Sequence, residues 1–328
     1  MSSHPNFTDH LQNSDEEANL GFQKYERGYL STPRNTRFEY DKSSADDEEE
    51  EEDRSLLSPK HEKSFGTLKR GITTLARKAK TITLASSGNF IIKQKIPYQI
   101  LDDAIFKNGE EFETLRYTAC TTDPDRFVEK NYSLRVSNLK RNIEIFVVVT
   151  MYNEDENAFN RTLFALAQNI QYLCEKNKYG WDENSWQKVA ICIVGDGRSK
   201  IHENVLKVLS VLGVYQDGIA QSAINKKETV SHIFEYTAQK IMDESRQIWS
   251  SKHKIPPLQL IFCLKEKNAK KINSHRWFFK AMCPLVNPKV CVLIGKLQYV
   301  HYLKFLLLRC WHKTREKRAV LFVESIFY

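Results

Sequence analysis

Two short runs of the chain carry no charge and are dominated by β-branched side chains. Residues 145–151 read Ile-Phe-Val-Val-Val-Thr-Met and residues 189–194 read Val-Ala-Ile-Cys-Ile-Val. Each stops abruptly, the first at Tyr152-Asn-Glu-Asp-Glu156 and the second at Gly195-Asp196-Gly197. Runs of that length and composition predict strands buried on both faces of a parallel sheet. Residues 258–264, after Pro256-Pro257, and residues 290–294 predict a third and a fourth strand. Between them, Phe159, Leu163, Leu166, Ile170 and Leu173 recur at helical spacing. Residues 205–212 read as a helix stopped by Gly213, residues 230–248 as a helix, and residues 272–282 as one that breaks at Pro284. Upstream, 111–120 reads as a strand, Asp123-Pro124-Asp125 as a turn, and 132–135 as the approach to the first sheet strand. Strands alternating with helices give an α/β fold around a mostly parallel sheet.

Composition changes this picture at the ends. Residues 1–80 are poor in large apolar groups, and 46–53 is an unbroken acidic run. Such a segment cannot bury enough apolar surface to offset the entropy of ordering it, so it is expected to be disordered. Residues 69–95 alternate basic residues with Ile, Leu and Thr. They read as a solvated linker, with contact to an anionic membrane surface as the other reading. The globular part is expected to begin at Ile96.

The net charge is +8, but the basic residues lie in separate blocks at 69–95, 265–276 and near the C-terminus. No single basic footprint forms, so no nucleic-acid partner is expected. The seven cysteines include no Cys-x-x-Cys pair. Cys192, Cys263 and Cys291 fall inside apolar runs, where free cysteine behaves as a small hydrophobe. Their odd number and the lack of a signal peptide fit a reducing, cytosolic compartment. No stretch reaches the ~18 consecutive apolar residues of a spanning helix; residues 299–311 come nearest but carry Lys304 and Arg309.

The candidate chemistry sits where the strands stop. In open parallel sheets, ligands bind beyond the carboxyl ends of the strands. Thr150, Tyr152, Glu154 and Asp196 are therefore expected side by side on one sheet edge, where a nucleotide can be held. For 152–156 the alternative is helix capping by Asn153 or Asp155. That leaves Thr150 and Tyr152 unexplained, and a uracil base needs an aromatic wall with hydrogen-bond partners; the residues leave both readings open. Two glycines around Asp196 let the backbone approach a ligand closely, although an Asp in a turn is also common. The segment 265–276 is strongly basic, and cations at the start of a helix oppose its dipole. An anionic ligand such as a diphosphate resolves that conflict.

In order and wording these segments resemble those of the fungal chitin synthases, processive family-2 glycosyltransferases that polymerise N-acetylglucosamine from UDP-GlcNAc. The likeness runs through Leu115-Arg-Tyr-Thr118, Asp123-Pro-Asp125 and Tyr132-Ser-Leu-Arg135. It continues with Val149-Thr-Met-Tyr-Asn-Glu-Asp-Glu156, Ile193-Val-Gly-Asp-Gly-Arg198 and His232-Ile-Phe-Glu-Tyr-Thr237. It ends with the basic stretch from Lys265 to Phe279 and with Cys291-Val-Leu-Ile294. The resemblance implies a partial GT-A, Rossmann-like sheet in 143–294, preceded by a small N-terminal module in 81–142. It implies that Thr150, Tyr152 and Glu154 form the uridine-binding strand end and that Asp196 binds uracil or ribose. It also implies that Lys271, with Lys270, faces the diphosphate. Mg²⁺ or Mn²⁺ is the family's cofactor, and the cytoplasmic face of the plasma membrane its location.

After Ile294 the family wording is replaced by Gly295-Lys-Leu-Gln-Tyr-Val300. The family's metal-binding Asp, catalytic base, acceptor motif and membrane helices are not matched. The chain is therefore expected to be a truncated or frame-shifted synthase, cytoplasmic or peripheral, with no catalytic residue or metal ligand of its own. Its tail, 295–328, is expected not to complete the sheet and to be poorly ordered or only loosely helical. The alternative is a non-catalytic interaction protein that pairs with intact chitin synthase subunits or with an anionic membrane. Affinity for uridine nucleotides separates the two.

Overall fold

A computed structural model describes residues 80–84, 89–176, 180–294 and 319–323. The acidic run at 46–53 and most of 295–328 lie outside the described residues. In chain order the elements begin with β1 (Lys80–Leu84), β2 (Phe90–Lys95), α1 (Glu110–Glu113), β3 (Thr114–Cys120) and α2 (Arg135–Asn138). Then come β4 (Ile145–Met151), α3 (Glu156–Lys176), β5 (Val189–Gly195) and α4 (Glu203–Val211). A hairpin of β6 (Ala223–Ile224) and β7 (Lys227–Glu228) precedes β8 (Ser231–Ala238), β9 (Lys240–Met242), β10 (Ile248–Ser250) and β11 (Leu258–Lys265). The rest is α5 (Lys270–Arg276), a π-helical turn (Trp277–Met282), α6 (Cys283–Val286), β12 (Val290–Ile294) and β13 (Ala319–Val323).

Nine strands form one sheet in the order β1-β2-β3-β8-β11-β5-β4-β12-β13. From β11 to β13 all neighbours are parallel. Numbered within this block by chain position, the order is 3-2-1-4-5, that of a doubly wound nucleotide-binding sheet. From β1 to β11 the neighbours are antiparallel. The sheet is thus mixed, not mostly parallel, within an α/β fold whose parallel block is Rossmann-like.

The charge-free runs form the centre of the parallel block because both their faces are covered. Ile145, Val147, Val149 and Met151 of β4 pack in one apolar layer with Phe159, Leu163 and Leu166 of α3. Phe146 and Val148 pack in the other, with Trp277, Phe278 and Met282 of the π turn. The same alternation runs along β5, β11 and β12. The 272–282 helix is found, but it passes through the π turn and continues over Pro284, which sits at the start of α6, where its missing N–H costs nothing.

Three sequence expectations are corrected. Residues 230–248 are not a helix but strands β8–β10. Their polar residues resembled a solvated helix face, yet β8 is buried along its whole length and each polar group has a remote partner. Tyr117 Oη lies 2.9 Å from His232 Nδ1, Arg116 pairs with Glu235, and Thr237 Oγ1 donates to Glu111 Oε1 at 2.6 Å. Second, the ordered fold starts before Ile96. β1 and β2 form an antiparallel pair on β3, and Ile91 and Ile92 are buried. Third, the tail does add a strand: β13 pairs in parallel with β12 from Val290↔Ala319 to Ile294↔Val323.

Through β1–β3 the expected N-terminal module contributes strands to the same sheet, and the seam is ionic. Arg116 and Glu235 are register partners on β3 and β8, and they form an ion pair that is almost wholly buried. Arg116 also donates to Ser133 O and Ser133 Oγ, both at 2.9 Å. The second Glu235 oxygen accepts from the Arg135 backbone N–H. Burial works against the charge of Arg135, which Glu235 supports.

Removing one partner of such a pair strands the other charge in the core. Glu235→Ala should therefore lower unfolding free energy by ~3–5 kcal/mol, read by urea titration. Glu235→Gln keeps an acceptor and should lose less. A Glu235→Ala variant as stable as the parent would show that the seam does not depend on this pair.

Candidate functional site

The carboxyl ends of β4, β5 and β11 lie next to one another on one edge of the sheet. The register Leu264↔Gly195 brings the residue after each strand position into contact. Lys265 Nζ lies 2.7 Å from Asp196 Oδ1, with side-chain exposures of only 2% and 10%. Lys265 also donates to Ser274 Oγ of α5 at 3.1 Å. The same Asp196 oxygen accepts from the Ala269 N–H at 3.0 Å, and the Asp196 N–H donates to Met151 O at 2.9 Å. Asp196 therefore ties three strand ends together.

The flanking glycines make room for protein. Gly197 has φ +101, and a Cβ there would come within 3.1 Å of the Asn268 backbone nitrogen. At Gly195 a Cβ would meet Ile201 Cδ1 at 2.9 Å. At Gly197 the two loops approach each other closely, and that fit, with the positive φ, requires a residue without a side chain; at Gly195 the contact is with the flexible end of Ile201 in its own loop.

Of the other sequence-predicted residues, Thr150 is buried in β4 opposite Val194. Tyr152 is exposed just beyond the strand, with 36% of its surface open. Glu154 turns back, and its Oε2 accepts from the Tyr152 N–H at 2.6 Å. Helix capping falls to Asp155, whose Oδ1 accepts from the Ala158 N–H at 2.8 Å. Lys270 and Lys271 are exposed in the first turn of α5, which packs against β4 and carries no acidic residue in that turn. Lys270 has φ +64, and its N–H donates to Asn268 Oδ1 at 3.0 Å. Tyr152, Asp196 and the two lysines thus share the edge formed by three adjacent strand ends.

Sequence reading missed Lys265 as the partner of Asp196. The sequence shows it only as the first charge after the third apolar run; its pairing with Asp196 depends on the register of β11 on β5. It also missed a relay beside the same edge. The Gln221 backbone N–H donates to Tyr117 Oη at 3.0 Å, so the Tyr117 hydroxyl proton is directed at His232 Nδ1. His232 Nε2 then carries the ring proton and donates to Glu266 Oε2 at 2.6 Å. Arg198, two residues past Asp196, lies 3.5 Å from the same carboxylate oxygen. Burial lowers the pKa of His232 below the ordinary 6.5, against the opposing pull of Glu266.

Among the described residues no group of three or more His, Cys, Asp or Glu can hold a metal ion. Asp196, the carboxylate best placed on this edge, is committed to Lys265. The described residues therefore do not fit a divalent-cation site, and no step is routed through one. Among them, too, no helix is long and apolar enough to cross a membrane. A cavity of about 300 Å³ lies at the same end of the sheet, beyond β8, between β2, β3 and the β6–β7 hairpin, lined by Arg126, Lys130, Tyr132 and Lys227; none of the sequence-predicted site residues lines it.

Two adjacent stretches match known families. Residues 77–144 match the chitin synthase N-terminal region, and residues 145–297 match the chitin synthase-like glycosyltransferase domain. A curated relative, "Chitin synthase 2" of Rhizopus oligosporus, is 47% identical over 211 residues, which is 64% of this chain and 25% of the relative. The chain thus spans about a quarter of the length of that relative.

Two outcomes follow from this geometry. Asp196→Ala should do more than open a ligand position. It leaves Lys265 buried without a counter-charge, so stability should fall by ~3–5 kcal/mol. The double variant Asp196→Ala/Lys265→Met should recover most of that loss in the same urea titration; equal losses in both would break the link between them. The second outcome concerns pH. A histidine whose folded pKa is depressed contributes stability that is complete above its unfolded pKa and fades as pH falls through it. Unfolding free energy of the parent should therefore drop on acidification below about 6.5. In His232→Gln the drop should be smaller over the same range.

Proposed function

The chain belongs to the chitin synthase family, whose members are glycosyltransferases, and from that premise we propose that its globular part binds the uridine diphosphate of a sugar-nucleotide donor, UDP-GlcNAc. One observation carries the reading. An exposed tyrosine, a carboxylate fixed in advance and two exposed lysines gather at adjacent strand ends of a sheet in doubly wound order. Open sheets of this order bind nucleotides at that edge.

In this reading Tyr152 stacks on the uracil. Thr150 and Glu154 shape the strand end beneath it, and Asp196 accepts a hydrogen bond from the base or the ribose. Asp196 reaches this role with its orientation already set by Lys265 and the Ala269 N–H, so little ordering is left for the ligand to drive. Lys270 and Lys271 neutralise the diphosphate. Their charges oppose the dipole at the start of α5, and an anion in front of that helix turns the conflict into attraction.

For the whole protein of which this chain spans a part, we propose the family reaction: transfer of GlcNAc to the 4-hydroxyl of a growing β-1,4-linked chain at the cytoplasmic face of the plasma membrane. A carboxylate would deprotonate the acceptor, and Mg²⁺ or Mn²⁺ would neutralise the leaving UDP. The described residues are assigned to donor recognition alone, and on that assignment the chain by itself transfers no sugar.

Isothermal titration with UDP tests the reading. The intact chain should bind, and Tyr152→Ala should weaken binding by ~1–3 kcal/mol, the range for a base on an aromatic ring. No binding of UDP by the intact chain would instead favour a non-catalytic interaction protein, which has no need of a nucleotide.

A further inference from the structure

Four sulfur-bearing side chains meet on the face of the sheet opposite α3. Cys192 of β5 and Cys291 of β12 point into the layer that also holds Met282, and Cys283 packs against it from the start of α6. They divide into two pairs. The Cys192 thiol donates to Met282 Sδ at 3.2 Å. Cys283 Sγ and Cys291 Sγ lie 3.7 Å apart, with no disulfide between them. The backbone brings the second pair together: after α6 the chain turns at Asn287, in the left-handed region at φ 53, and its N–H returns to Cys283 O at 2.7 Å. β12 then runs back beside the helix end.

We propose that Cys283 and Cys291 are a modification site, forming a reversible disulfide on exchange with a low-molecular-weight disulfide such as oxidised glutathione. Two sulfurs in contact need to close to ~2.05 Å, and Cys283 is the less buried of the two. Cys283 is also the point of entry. It is partly open, whereas Cys120, Cys192 and Cys263 are fully buried and Cys291 is 8% exposed.

The exchange balances without further reagents. Cys283 gives its proton to solvent, and its thiolate attacks one glutathione sulfur. The glutathione S–S bond breaks, and one glutathione thiolate leaves. Cys291, deprotonated in turn, attacks the Cys283 sulfur of the mixed disulfide and expels the second glutathione. Two protein thiols are oxidised and one glutathione disulfide is reduced to two thiols. The Cys291 thiol beside it, and then burial, push the pKa of Cys283 well up. The thiolate is therefore scarce at neutral pH, and the rate should rise about tenfold per pH unit.

The linkage is readable on the intact chain because Lys289 separates the two cysteines into different tryptic peptides, 281–289 and 290–296. After incubation with oxidised glutathione, acid quench, alkylation in denaturant and digestion, these peptides should appear joined. Their mass should be about 2 Da below the sum of the reduced pair, as one bond forms from two thiols. The Cys291→Ala variant should instead hold glutathione on Cys283. Alkylation of both thiols at every pH would overturn the assignment. So would glutathione persisting on Cys283 of the parent while Cys291 stays free, or a bond from Cys192 in place of either. None of these readouts depends on nucleotide binding.

Discussion

The guanidinium of Arg116 lies beside the carboxylate of Glu235 in the middle of the sheet, and both are closed to solvent. Two charges in that position tolerate no slip. A shift of one residue between β3 and β8 would bury each without its partner and turn every side chain of the strand to the other face. The pair therefore fixes register as much as it adds stability. From that register the rest follows: His232 comes opposite Ala119, and Ser231 opposite both Cys120 and Lys265. Lys265 is then held at the end of β11, where Asp196 meets it across the parallel pair. The N-terminal strands are thus part of what sets the strand-end edge that carries Asp196, through one buried charge pair some distance from it.

At the edge itself a second ion pair does related work. An unpaired carboxylate at a strand end would be free to rotate, and ordering it would fall on any ligand that used it. Lys265 removes that freedom in advance, and the Ala269 N–H fixes the same oxygen. Lys265 is itself held by Ser274 on α5, so the helix that starts with Lys270 and Lys271 is connected to Asp196 through a buried amine as well as through the Ala269 N–H at its cap. A change in the placement of α5 must therefore reach Asp196, and the converse holds.

β4, β5, β11 and β12 were legible because they are buried on both faces and their apolar runs carry no charge, a pattern that needs no knowledge of partners. The spacing of Phe159, Leu163 and Leu166 exposed α3 in the same way. β8 was not legible. His232, Glu235 and Thr237 are buried with groups more than a hundred residues away, on β3 and α1, and without those partners their polarity reads as solvent exposure. β2 was missed for a related reason: Lys93 and Lys95 suggested a linker, while Ile91 and Ile92 before them and Gln94 between them are buried. β13 is short and joins through a pairing that no local pattern announces. At the site, strand-end positions could be read from where apolar runs stop. The bond between Asp196 and Lys265 could not, because it requires the register of β11 on β5.

The family wording along the chain divides by burial into two kinds of residue. Arg116, Tyr117, Arg135, His232, Glu235 and Lys265 all fall within the segments that carry the resemblance, and all are buried and engaged with other parts of the protein. Tyr152, Lys270 and Lys271 fall within the same segments and remain open. Polar and charged groups are costly inside a core unless each is matched, so the first group has a sufficient explanation in the fold. The second has none. An exposed aromatic ring gains nothing from water, and two adjacent cations at the start of a helix oppose both each other and its dipole. What unites these three residues is that an aromatic, anionic ligand would relieve each of those costs at once, and a uridine diphosphate carries both features in one molecule.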